Sequence, residues 1–216
     1  MDNEKWKTYL AAGKGYDTVQ TNAGSTMKMA HKIIEESIPI PPEGNILVIG
    51  TGGGEEMEKF QELSPDSWVT GITLSPKEHE HCIKKKLDVK IADMHELPYK
   101  YETFDILFTS NTLEHSVSPF IAMCEMNRVL KMGGYALIIM PSVWRWGDIN
   151  GHISCMTSEQ MVFLARKCGF TILDSWWVMD KSKTSRMNVF ILKKERIIHT
   201  TEVIQRTDKE VEGLGC

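Results

Sequence analysis

Four consecutive apolar residues, Ile46-Leu47-Val48-Ile49, run straight into a glycine-rich stretch at Gly50, Gly52, Gly53 and Gly54. A short run that is apolar on both faces predicts a strand buried inside a sheet. Beyond the glycines, Met57, Phe60 and Leu63 recur on one helical face behind Glu55, Glu56 and Glu58, the pattern of an amphipathic helix with acids in its first turn. Strand and helix then keep alternating. Trp68–Thr73 reads as a second strand, and Ser75-Pro76-Lys77-Glu78 opens a helix: Ser75 as cap, Pro76 at the first helical position, Glu78 completing a capping box. A third strand spans Val89–Ala92, with Asp93 just past its end. A fourth spans Phe104–Thr109 and ends in Ser110-Asn111. Ser118-Pro119 starts a helix with Ile121, Met123, Met126 and Leu130 inward, closed by Gly133-Gly134 before a fifth strand, Tyr135–Met140.

Thr157-Ser158-Glu159-Gln160 is a second capping box, and its helix ends at Gly169. Two strands follow, Phe170–Val178 and Met187–Leu192. The residues between them are too few for a parallel crossover, which takes a dozen or more, so the last strand must run antiparallel. The expected fold class is α/β, a Rossmann-like doubly wound sheet of seven strands with an antiparallel last strand. Upstream, Ser25 caps a helix running to about Ser37 with Met29, Ile33 and Ile34 inward, and Pro39, Pro41 and Pro42 end it. The chain therefore divides into an N-terminal helical segment at 1–44, a core at 45–195 and a C-terminal tail at 196–216. Two placements of the N-terminal segment stand open: over the ligand, or packed on the sheet.

A length of 216 residues suits one domain with a full core. The net charge of −4 gives no electrostatic case for nucleic acid or for an anionic membrane as partner. The charged opening Met1-Asp2-Asn3-Glu4-Lys5 is followed by no apolar run fit for a signal or a span. Five scattered cysteines without a CxxC pair argue against a disulfide framework or a zinc site, so no metal is expected and a cytoplasmic, reducing location is.

Taken in order, these motifs resemble those of the class I S-adenosylmethionine (SAM) dependent methyltransferases, from about Asn45 to Lys193. Ile46 to Gly54 is similar to the family's glycine motif, and Gly71-Ile72-Thr73-Leu74-Ser75-Pro76 to its second-strand motif. Ala92-Asp93-Met94 with Leu97-Pro98 resembles the adenine loop, and Phe104-Asp105-Ile106 to Leu113-Glu114-His115 the fourth-strand motif. Arg128 to Gly134 resembles the turn before strand five, and Gly151-His152-Ile153 to Gly169-Phe170 the stretch into strand six. The resemblance implies SAM as cofactor, held by Gly50, Thr51, Gly52, Gly54, Thr73, Leu74, Asp93, Met94 and Asn111. It places the backbone of Gly50–Gly54 against the methionine part and Asn111 near that part. Asp93 would accept from the adenine amino group, while the Met94 backbone meets the ring. A turn cap ahead of Met94-His95-Glu96 is the other reading of Asp93.

Two positions depart from the family's pattern. An acid usually stands at Val48, where it helps to hold the cofactor's amino group, and another at Thr73, where it accepts both ribose hydroxyls. A carboxylate accepts two hydroxyls at once, whereas threonine offers one hydroxyl. Glu55 and Glu56 are the acids at hand to replace the one missing at Val48. On the acceptor side, His115 follows strand four, and its imidazole suits proton abstraction from an amine or hydroxyl; contact with backbone is its alternative role. Trp144, Arg145 and His152 lie in the loop after strand five, fit either for substrate contact or for packing. The expected activity is methyl transfer to a small-molecule acceptor. A non-catalytic binding module of the same fold is the alternative. A nicotinamide dehydrogenase fits poorly, since Glu55 stands where its fingerprint needs glycine and Thr73 where it needs an acid.

Overall fold

The computed structural model describes residues 25–143, 151–179 and 186–198. Its helices are α1 (Ser25–Ser37), α2 (Glu55–Leu63), α3 (Pro76–Lys84), α4 (Pro119–Val129) and α5 (Ser158–Lys167). Its strands are β1 (Asn45–Ile49), β2 (Trp68–Thr73), β3 (Asp88–Ile91), β4 (Phe104–Ser110), β5 (Leu130–Pro141), β6 (Phe170–Met179) and β7 (Arg186–Lys194). They form one seven-stranded sheet in the order β3-β2-β1-β4-β5-β7-β6. The first five are parallel; β7 runs antiparallel to both β5 and β6, as the short connection required.

The two-residue period of the central strands sorts their side chains into two cores. Leu47 and Ile49 of β1, with Ala136, Ile138 and Met140 of β5, pack against α4, α5 and the 92–97 turn. Ile46 and Val48, with Ile106, Phe108, Leu137 and Ile139, face the opposite layer. That layer includes α1: Ala30, Ile33 and Ile34 are buried beside Phe60 and the sheet, so the N-terminal helix packs on the sheet face. Among the described residues no helix is long and apolar enough to cross a membrane.

One boundary differs from expectation. The helix α4 stops at Val129 instead of running to Gly133, and β5 begins at Leu130. Leu130 is fully buried, its N–H donates to the Met126 carbonyl, and it pairs with Phe104. The register then jumps to Ile106 opposite Tyr135, so residues 131–134 form a bulge. Lys131 anchors that bulge on the Asp105 carboxylate at 2.8 Å, and Gly133 turns it with φ +77°. The helical period carried by the sequence was overridden by strand pairing.

Gly54 begins α2 with φ +89°, and a Cβ there would lie 2.4 Å from Leu87 Cδ1. At Gly53 an added Cβ would meet only the mobile end of Glu55, with no left-handed φ. Gly54→Ala should therefore cost about 1–3 kcal/mol of unfolding free energy through strain and overlap. Gly53→Ala should cost clearly less, and urea unfolding of the two variants checks the difference.

Candidate active site

Because β1 to β5 are parallel, their carboxyl ends share one edge, and the sequence delivers its polar residues there. The glycine turn after β1 is tied to β2, with Gly50 N–H and Thr51 N–H both donating to the Ile72 carbonyl (2.9 and 3.3 Å). Gly50 has φ +78°, and a Cβ would stand 2.1 Å from Thr112 Oγ1. The turn thus lies directly on the segment after β4. The small residue is demanded by the protein's own packing as well as by any ligand.

Thr73, at the end of β2, is 4% exposed, and its hydroxyl is committed. It donates to Glu78 Oε2 at 2.6 Å and accepts from the Ser75 N–H at 3.0 Å. Ser75 Oγ accepts from the Glu78 N–H, the expected cap, but the other arm of the box is altered. The Ser75 N–H goes to Thr73, and the Glu78 carboxylate leans back over the strand end. A carboxylate from α3 is therefore held against the Thr73 hydroxyl. Sequence reading had assigned Glu78 to capping alone; the signal was an acid five residues after the missing one.

Val48 is buried in the apolar layer with no carboxylate in its place. Of the two acids offered as replacements, Glu55 folds back on the glycine turn beside Gly53, with its Oε2 buried and without a hydrogen-bond partner among the described residues. Glu56 is buried in α2.

Past β3, Asp93 Oδ1 accepts from the His95 N–H (2.9 Å) and from His95 Nδ1 (2.5 Å). The far nitrogen of that ring, Nε2, lies 2.8 Å from Ser116 Oγ, beyond β4. Since Asp93 only accepts, Nδ1 carries the proton and Nε2 accepts from the serine. Burial pushes the Asp93 carboxyl up, but the side-chain and backbone bonds from His95 outweigh it and hold the group below the usual aspartate value. Asp93 Oδ2 makes no hydrogen bond among the described residues. The turn-cap reading of Asp93 is seen directly in Oδ1, which leaves Oδ2 as the oxygen on which the cofactor reading would rest. Met94 drops its side chain into the core beside Leu97, and Leu74 is half-buried at the mouth of β2.

Asn111 follows β4 in the left-handed region (φ 50°), a conformation asparagine tolerates, and its N–H donates to the Ile139 carbonyl. A single 3-10 turn, Leu113–His115, comes next. Residues 151–154 are laid across it: Ile153 and Ser154 N–H groups donate to the Glu114 carbonyl (3.0 and 2.9 Å), and Ser154 Oγ donates to the Ser116 carbonyl. That docking brings His152 to His115, with ring centroids 4.8 Å apart. His115 Nδ1 donates to the Gly151 carbonyl at 2.7 Å, so its lone pair is on Nε2. Burial holds His115 below the ordinary histidine pKa, against a smaller upward pull from Gly151. Glu114 is 0% exposed, and among the described residues neither carboxylate oxygen has a hydrogen-bond partner on another residue. Burial pushes its carboxyl up to about 8, against a lesser pull from its own backbone N–H. The structure brings Glu114, His115 and His152 together. Trp144 and Arg145 lie outside the described residues.

This sheet order, with a glycine turn at β1, is that of the class I SAM-dependent methyltransferase fold, and the sequence likenesses support a methyltransferase domain of that class. The model of the family described as "Methyltransferase domain" matches residues 47–138. The 27-O-demethylrifamycin SV methyltransferase of Amycolatopsis mediterranei is 26% identical over 140 residues, 61% of this chain and 51% of that protein. An uncharacterized methyltransferase of Schizosaccharomyces pombe is 30% identical over 141 residues, 59% of this chain and 47% of its own. The chain spans about half the length of these two curated relatives. Among solved structures, the 4+2 cyclase SpnF superposes with a TM-score of 0.69 at 18% identity, covering 89% of this chain and 92% of that one. A geranyl diphosphate methyltransferase solved with GPP and sinefungin gives 0.66 at 13% identity, covering 77% of each chain. These two likenesses speak for the fold.

Because Asp93 holds two His95 hydrogen bonds, Asp93→Ala should destabilise the ligand-free protein by about 1–3 kcal/mol, contrary to what a plain loop residue would do. Its lowered pKa means that the stabilisation is present above its ordinary value near 3.8 and is lost as pH falls through the lower folded value. Acid unfolding of wild type against Asp93→Asn checks this: the asparagine variant should lack that part of the acid limb.

Proposed function

We propose that the protein transfers a methyl group from SAM to a small-molecule acceptor. The observation that carries this reading is the pair of carboxylates on the β2–β3 side of the glycine turn, Glu78 at the end of β2 and Asp93 after β3. A carboxylate accepts and never donates, so Glu78 suits the ribose hydroxyls and Asp93 the exocyclic amino group of adenine. The Gly50–Gly54 backbone and Asn111 then face the methionine end, with Thr51, Thr73, Leu74 and Met94 shaping the cradle around them. The sulfonium methyl is already activated. A lone pair on the acceptor forms a bond to the methyl carbon while the C–S pair returns to sulfur, leaving a neutral thioether. Positioning supplies roughly 7–11 kcal/mol of such a barrier, and the transfer step itself develops no new oxyanion.

His115 and its neighbours act on the acceptor, since they lie beyond Asn111 on the segment that touches the glycine turn. Relatives named for O-methylation, such as the ubiquinone biosynthesis O-methyltransferase of Cereibacter sphaeroides at 25% identity, support an acceptor oxygen. The net charge of −4 favours neither nucleic acid nor membrane as partner, and the free thiols of Cys82, Cys124, Cys155 and Cys168 agree with a reducing, cytoplasmic setting. A second reading, cofactor binding without methyl transfer, is favoured by the apolar Val48, and SpnF is a cyclase on the same fold.

Titration with SAM tests the cradle. Affinity should fall in the order wild type, Asp93→Asn, Asp93→Ala, with a full loss of about 1.5–3 kcal/mol. Thr73→Asp should weaken binding, because a second carboxylate would face Glu78, whereas an unfilled ribose position would have been restored by it. Equal affinity across these variants would remove both carboxylates from the cofactor site. Turnover on an acceptor found by screening metabolite pools with methyl-labelled SAM should drop at least about tenfold in His115→Ala, with SAM affinity changed much less. A drop in both together would make His115 part of the cofactor cradle.

A further inference from the structure

The Glu114 carboxylate is fully buried, and among the described residues neither of its oxygens has a hydrogen-bond partner on another residue. Such a group calls for an explanation, since buried carboxylates are almost always paired or bound to a cation. Its surroundings supply half of one. One ligand atom each from Glu114, His115 and His152 lie within 4.8 Å of one another. His152 Nε2 is 4.0 Å from Glu114 Oε1, outside hydrogen-bond reach but on the same small volume. His115 gives its Nδ1 proton to the Gly151 carbonyl, the arrangement that fixes the tautomer of metal-bound imidazoles. The backbone holds the set in place, because Ile153 and Ser154 are bonded to the very carbonyl of Glu114.

We propose that Glu114, His115 and His152 bind one divalent transition-metal ion of the zinc type, leaving coordination positions open for an oxygen of the methyl acceptor. Two imidazoles and one carboxylate suit Zn²⁺ and its neighbours better than Mg²⁺, which favours oxygen alone. In a tetrahedral site, metal–ligand bonds of about 2.0–2.2 Å put ligand atoms roughly 3.4 Å apart, so a pair at the 4.8 Å limit must close by roughly 1.4 Å through side-chain rotation. Three protein ligands with open positions are the composition of a catalytic site. The proposal deepens the methyl-transfer reading and rests on it only for the acceptor. There, a bound hydroxyl loses its proton to solvent water, its oxygen bonds to the SAM methyl, and the C–S pair goes to sulfur. The products are a methyl ether, S-adenosylhomocysteine and hydronium. The imidazole of His115 would then serve as ligand, and the ion would do the acidifying that a lone base would otherwise do. The absence of CxxC pairs is no obstacle, since none of the three donors is a cysteine.

The test is equilibrium dialysis of the untagged, full-length protein against Co²⁺ and Zn²⁺ without SAM, with the Co²⁺ protein read by visible absorption. Wild type should bind one equivalent with a spectrum of nitrogen and oxygen ligands. Glu114→Gln and His152→Ala should each lower affinity more than about tenfold, while His81→Ala on α3 should not. Glu114→Gln keeps the shape and leaves no acid to ionise in the buried site, so its ligand-free melting point should be at or above that of wild type, and only the metal-induced rise should vanish. No stoichiometric binding, equal binding by Glu114→Gln, or loss on Cys155→Ser in place of Glu114→Gln would overturn the site. One bound equivalent without any affinity for SAM would uphold the metal site and overturn the methyl-transfer reading.

Discussion

Everything functional in this protein hangs on β1 being hydrogen-bonded on both sides. It pairs with β2 along one edge and with β4 along the other, and the chain order reverses across it. The loops leaving its carboxyl end and that of β4 must therefore diverge to opposite faces, opening a crevice that the sheet cannot close. Into that crevice the glycine turn is pinned from both sides, by the Ile72 carbonyl and by the Thr112 side chain lying on Gly50. A rigid edge of this kind lets the β2–β3 side and the β4 side of the crevice be set independently.

The two sides are nonetheless linked. His95 bridges Asp93, past β3, to Ser116, past the 3-10 turn after β4. Ser116 in turn receives Ser154 through its carbonyl, and Ser154 shares the Glu114 carbonyl with Ile153. One connected series of hydrogen bonds thus runs from Asp93 Oδ1 to the Glu114–His115–His152 cluster. Each link satisfies a polar group that would otherwise be stranded in a semi-buried loop, which gives the site its rigidity. Pre-organisation of this sort matters most for a reaction whose barrier is lowered chiefly by alignment.

Much of this was legible in the sequence. Local chemistry wrote the β1–glycine–α2 unit, the Thr157 capping box (seen intact with Gln160) and the bounds of α1. The antiparallel final pair followed from chain length alone. What escaped was whatever depended on distant partners. Glu78 looked like a cap because its neighbours in sequence allowed it, and only the fold shows its carboxylate at the Thr73 hydroxyl. Glu114 and His152 are far apart along the chain, and no period or spacing joins them; backbone bonds between two loops do. The end of α4 was misplaced because strand pairing with Phe104 outbid a helical period that continued through Leu130.

The central claim is that the crevice beside β1 is a SAM site, and calorimetric titration of the full chain with SAM, S-adenosylhomocysteine and NAD⁺ tests it most directly. The account predicts one equivalent of SAM and of S-adenosylhomocysteine bound, with no heat from NAD⁺. Binding of NAD⁺ in their place, or of none of the three, would contradict it.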